Sequence, residues 1–235
     1  MSRMRARLCL MMFLQFFVWG AWFVTLGTFL ATNLRASGEQ TGLVFATQSW
    51  GAIVAPLFVG LVADRFVNAE RIFALLHLAG AVLLWRMYAA PEFASFYPLA
   101  LAYMIVYMPT LALANAVCFR QMRDTTTEFP PVRMWGTVGW IVAGLAISYA
   151  FAWDDRANIA AGALRNTFLL AAVASAVLGL YGFSLPATPP VRGGESQVRA
   201  LLGVEALGLL KDRNFAVFFC SAVLICVPLA FFSRM

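Results

Sequence analysis

Along most of the chain, apolar residues do not alternate with polar ones at a helical or a strand period; they run on unbroken. From Leu8 to Ala31 only Gln15, Thr25 and Thr28 interrupt them, and similar stretches cover 42–63, 72–90, 96–119, 134–152, 167–185 and 215–235. A hydrocarbon core about 30 Å thick is crossed by about 20 helical residues rising about 1.5 Å each. The pattern predicts an all-α, polytopic transmembrane helical bundle.

The polar breaks set its organisation. Ser184–Gln197 (SLPATPPVRGGESQ) concentrates Pro, Gly and polar residues, the composition of a loop. Arg199–Lys211 is apolar but too short to span, which suits a helix lying along the membrane interface. The expected domains are a six-helix bundle over 1–185, a cytoplasmic loop with a short interfacial helix over 186–214, and a truncated seventh helix over 215–235. A stop at Met235, with no partner for that helix, reads as a fragment.

Composition agrees with a membrane location: 62% of residues are hydrophobic and 12% charged, against roughly 25% charged in soluble domains. Arg3, Arg5 and Arg7 precede the first apolar run as they would in a signal peptide. The run is too long for such a peptide and no small-residue cleavage site follows, so a retained helix is expected. The net charge of +6 does not imply nucleic-acid binding, because the basic residues sort by loop. Arg3, Arg5, Arg7, Arg65, Arg71, Arg120, Arg123, Arg133, Arg192, Arg199, Lys211 and Arg213 fall on one side, against Arg35, Arg86, Arg156 and Arg165 on the other, with Arg234 at the chain end. Basic short loops stay cytoplasmic, which predicts a multi-pass protein with its N-terminus inside. Cys9, Cys118, Cys220 and Cys226 show no metal-ligand spacing, so no metal or cofactor is expected.

Polar residues inside the spans are few. Gln15, Trp19 and Trp22 share a helix face that should look into the bundle or a watery cavity, where an amide beside aromatic rings suits a flat, hydrogen-bonding base. Helix packing is the other reading. Thr47, Gln48 and Ser49 are expected to point inward, and Tyr103, Tyr107 and Thr110 form a stripe beside Pro109, a kink site. Pro130-Pro131 can open a helix, which places Arg133 in its first turns against the macrodipole. Arg133 is therefore a membrane-edge anchor or, if deep, a costly and functional cation. No predicted span holds Asp or Glu, and His77, the single histidine, is expected buried and hydrogen-bonded. That inventory argues against an intramembrane hydrolase, and no enzymatic activity is expected.

Gly60-Leu61-Val62-Ala63-Asp64-Arg65, followed by Arg71, resembles the loop signature of the major facilitator superfamily, in which Asp64 would pair with Arg120 or Arg123 as the halves rock. Phe13–Trp22 with Thr25-Leu26-Gly27, Tyr107–Leu111, Phe129–Thr137 and Leu201-Leu202-Gly203 are similar to segments of the bacterial nucleoside–proton symporters of that superfamily. The resemblance implies twelve helices in two bundles, of which this chain supplies the first. It implies proton-coupled nucleoside uptake across the inner membrane by alternating access, with nucleoside, protons, the bilayer and a C-terminal bundle as partners. It places substrate-site residues at Arg133, Thr137 and Trp140, to which the residue pattern adds Gln15 and Trp19. Trp140 departs from the family's usual Phe, and the coupling acids belong to the second bundle. The alternatives are transport of another small solute, such as a sugar or drug, and a six-helix half-transporter working as a dimer.

Overall fold

The computed structural model describes residues 3–58 and 67–189, with 211–212, 215–217, 220, 221 and 224 beyond them. Met1–Pro190 is one compact unit and Val191–Met235 another. The described part of the first unit is helical: α1 (Arg3–Phe23), α2 (Leu26–Thr32), α3 (Gly38–Phe58), α4 (Ala69–Ala89), α5 (Phe93–Arg120), α6 (Thr125–Leu145), α7 (Arg156–Ala160) and α8 (Asn166–Gly182). A π-helical turn, Ala146–Ala150, extends α6.

Arg3–Thr32, Ala69–Ala89, Phe93–Arg120 and Ala163–Gly182 are long and apolar enough to cross a membrane. Helices α3 and α6 also occupy predicted spans, but polar residues such as Glu39, Gln40, Glu128 and Arg133 dilute them. The first predicted span is broken into α1 and α2 at Val24–Thr25, where the Thr25 hydroxyl donates to the Trp22 carbonyl at 3.4 Å. A threonine hydroxyl offers that carbonyl an alternative to the helical N–H. The expected interfacial helix and seventh span lie almost wholly outside the described residues, as do Gly60, Asp64 and Arg65.

Helices α3 and α6 start before the apolar runs that marked them, and polar caps account for their extra residues. Ser37 Oγ accepts from the Gln40 N–H at 3.2 Å while Gln40 Oε1 accepts from the Ser37 N–H at 2.9 Å. This reciprocal pair satisfies donors that the first turn of α3 leaves free. Asp124 caps α6: its Oδ1 accepts from the Thr126 N–H at 2.9 Å and its Oδ2 from the Thr127 hydroxyl at 2.8 Å. These bonds, the Thr127 one foremost, hold the Asp124 carboxyl below its usual range. Since α6 begins at Thr125, Pro130 and Pro131 lie inside it rather than at its mouth. Arg133 therefore sits roughly two turns into the helix, beyond reach of the terminal dipole invoked from the sequence.

Helix α1 packs on α6 and α8, α4 on α5 and α8, and α3 on α5. Small residues permit the closest approaches, as in membrane bundles generally. A Cβ on Gly139 would collide with the Phe13 carbonyl, and one on Gly20 would meet the Trp140 backbone at 3.1 Å. One end of the bundle is tied by the Tyr181 hydroxyl donating to the Arg7 carbonyl at 3.2 Å. At that end the buried Glu70 also holds the strand of loop after α8: its Oε2 accepts from the Thr188 N–H at 2.8 Å, and its Oε1 from Asn68 Nδ2 at 2.9 Å. At the other end Asn33 Nδ2 donates to the Gly162 carbonyl at 3.0 Å.

Candidate functional site

Gln15 is completely buried and joins α1 to α4 and α5. The proton positions follow from the bonding pattern. The Thr110 hydroxyl donates its one proton to the Tyr107 carbonyl at 2.6 Å, so its oxygen accepts from Gln15 Nε2 at 2.8 Å. Gln15 Oε1 then faces His77 Nε2 at 2.7 Å, and that ring nitrogen carries the hydrogen. His77 Nδ1 lies 3.2 Å from the Ser175 hydroxyl, which also donates to the His77 carbonyl at 2.8 Å. The Tyr107 hydroxyl donates to the Gln15 carbonyl at 2.8 Å. His77 is thus buried and hydrogen-bonded, as the sequence suggested, in a network spanning four helices. Both the amide nitrogen and the amide oxygen of Gln15 have a partner within it.

Beside this network opens a small cavity of about 120 Å³. Gln15, Trp19, Asn115 and Arg133 supply its polar edge, and Met12, Phe16, Leu111 and Ala114 its apolar walls. The Arg133 guanidinium lies over the Phe16 ring, 4.0 Å from its centroid, and makes no hydrogen bond or ion pair with a described residue. The Asn115 amide is likewise without a partner among described residues. The Trp19 indole N–H is buried and has no partner among the described residues. Among the described residues the lining carries no carboxylate. The site can stack a flat ring and donate or accept hydrogen bonds, but the described part of it offers no acid to carry a proton.

Of the residues singled out from the sequence, Gln15, Trp19 and Arg133 come together at this cavity. Thr137 and Trp140 do not line it. Thr137 is exposed, and the Trp140 ring meets Trp19 edge-on at 5.4 Å and Phe23 at 6.3 Å. Trp22 is buried elsewhere, against Tyr103 and Phe168. Tyr103 and Tyr107 stack at 5.4 Å, and α5 continues helically through Pro109. Thr47 is buried, but Ser49 is exposed, so that segment does not turn inward as a unit. Asn115 escaped the sequence reading. Its signal was a lone amide within the apolar run after Pro109.

The family model described as Nucleoside H+ symporter matches residues 1–235. The chain belongs to this family. It is 41% identical over 97% of its length to YegT of Escherichia coli K12, 34% identical over 93% to that organism's xanthosine permease, and 30% identical over 94% to its nucleoside permease NupG. The chain spans about half the length of these curated relatives: 53%, 51% and 52% respectively. A crystal structure of the nucleoside transporter NupG superposes with a TM-score of 0.81 at 27% identity, covering 100% of this chain and 57% of that one. This family member therefore carries the transmembrane helical fold of a nucleoside transporter over the stretch that the two share.

Proposed function

We propose that the chain forms the N-terminal part of a secondary transporter that couples nucleoside uptake to proton entry across the bacterial inner membrane. One observation carries the reading. In a bundle of this family, one cavity brings together an arginine, an amide and an indole N–H that have no hydrogen-bond partner among the described residues. A guanidinium within the membrane is costly unless a ligand or a functional role accounts for it, and a nucleoside would supply both a flat ring to stack and acceptors to bind.

Transport, rather than bond-making chemistry, is the work of such a site. The bundle within 1–185 would hold one side of the substrate, with 186–214 connecting to a second bundle that begins at 215–235. Alternating access would come from rocking of the two bundles about a midplane site. The loop motif Gly60, Asp64, Arg65 and Arg71 would serve that motion, with Asp64 pairing with Arg120 or Arg123 and releasing it as the halves rock. Thr137 and Trp140, on the α6 side beside Trp19, would complete the site when the second bundle closes over it. Basic residues near the ends joined by Tyr181, Arg7, Glu70 and Thr188 support an N-terminus on the cytoplasmic side.

The test is uptake into vesicles bearing the full-length protein, with and without an inward proton gradient. Radiolabelled uridine should accumulate only with the gradient, and excess unlabelled nucleosides, not sugars, should compete. Gradient-driven uptake displaced by sugars alone would move the reading to a different solute.

A further inference from the structure

Gln15 lines the cavity with its amide already tied at both ends. Its amide nitrogen is committed to Thr110, its amide oxygen to His77 and its backbone carbonyl to the Tyr107 hydroxyl. Breaking any of these to bind substrate would strand a buried polar group, at about 1–3 kcal/mol each. Asn115 is in the opposite condition. It projects from α5 into the same cavity, half-buried, with neither its donor nor its acceptor engaged by a described residue.

Its neighbours define what it can recognise. Met12, Leu111 and Ala114 surround it with apolar surface, so a ligand group placed there gives up water and needs the amide in exchange. Arg133 can only donate, whereas an asparagine amide both donates and accepts through adjacent atoms. The complementary partner is an edge that also presents a donor and an acceptor side by side, as a uracil-type base does and an isolated ribose hydroxyl does not.

We infer that Asn115 is the hydrogen-bonding, specificity-determining contact to the nucleobase edge within this bundle, and that Gln15 is a positioning residue that holds α1, α4 and α5 in register around it. This rests on the nucleoside reading proposed above. Asn115 then sets which bases are accepted, Arg133 meets acceptor atoms elsewhere on the nucleoside, and Trp19 gives the flat wall.

The experiment compares KM for uridine with KM for N3-methyluridine, in which one donor of that edge is blocked, using full-length protein normalised to surface expression. Wild type should favour uridine by about fivefold, the worth of about one neutral hydrogen bond. Asn115→Ala should raise the uridine KM by a similar factor and bring the ratio of the two KM values close to one. Asn115→Ser, which keeps a small polar group and guards against misfolding, should weaken the preference in the same direction. Gln15→Ala should lower the amount of active protein while leaving the wild-type ratio intact. A preference undiminished in both Asn115 variants, or one abolished by Gln15→Ala alone, would overturn the assignment. Absence of uridine uptake by well-expressed wild type would instead overturn the nucleoside reading itself.

Discussion

Gln15 on α1 and His77 on α4 meet through Oε1 and Nε2 at 2.7 Å, both almost wholly shielded from the surroundings. Sixty-two positions separate them in the chain, and no local pattern in either helix announces the other. The contact fixes which way the amide faces and which histidine nitrogen carries a proton.

That pair should matter more for stability than for recognition. Gln15→Leu would leave His77 Nε2 and Thr110 Oγ1 without their partner, and His77→Phe would do the same to Gln15. Interhelical hydrogen bonds in membranes are worth about 0.6 kcal/mol on average and reach about 1.7, so each single variant should lose about 1–2 kcal/mol. Unfolding in mixed micelles would measure this, and the double variant should cost less than the two singles added together.

Two glycines of α6 should respond with opposite signs. A methyl group on Gly139 would run into the Phe13 carbonyl, whereas one on Gly144 would find nothing within 4 Å. Gly139→Ala should force α1 from α6 and cost about 1–3 kcal/mol. Gly144→Ala should gain about 0.5–1 kcal/mol from reduced backbone freedom in the unfolded chain. Thermal unfolding of the two variants side by side checks the prediction.

Glu70 is the buried group that holds Thr188. Glu70→Ala removes acceptors for both the Thr188 N–H and Asn68 Nδ2, and hydrogen bonds to a charged group contribute about 1.5–3 kcal/mol. The segment 184–189 should become open to protease in the variant at concentrations that spare the wild type. Equal resistance would show that the clasp contributes nothing.

The cap at Asp124 should be sensitive to acid. Its folded-state carboxyl is lowered from the model-compound value of 3.8, so its stabilising effect is present above that value. The effect is lost as pH falls through 3.8 toward the lower folded value. Asp124→Asn keeps a capping acceptor and should remove this component of the acid sensitivity, visible as a flatter dependence of Tm on pH below about 5.

The sequence made the class of fold legible because a membrane leaves few options: long apolar runs have to be helices. Helix starts were less legible. Ser37 and Asp124 lie outside the apolar runs that marked the spans, and each adds residues to its helix through a polar cap. At the site, Arg133 and Trp19 stood out as unusual residues in apolar surroundings, and both reach the cavity. Helical spacing put Thr137 and Trp140 on the same face as Arg133, yet the cavity walls come from α1 and α5 as well as α6. Which residue of a face meets a cavity depends on those neighbouring helices, and periodicity within one helix carries no such information.

The most direct test of the central claim is proton-driven uptake of uridine and adenosine by full-length protein carrying Arg133→Ala, with surface expression matched to wild type. If Arg133, without a hydrogen-bond or ion-pair partner among the described residues, is held over Phe16 to receive substrate, kcat/KM should fall tenfold or more, about the worth of a charged hydrogen bond, while protein stability stays near that of wild type. Uptake that remained at the wild-type rate would contradict the account, leaving Arg133 as a charge with no part in binding.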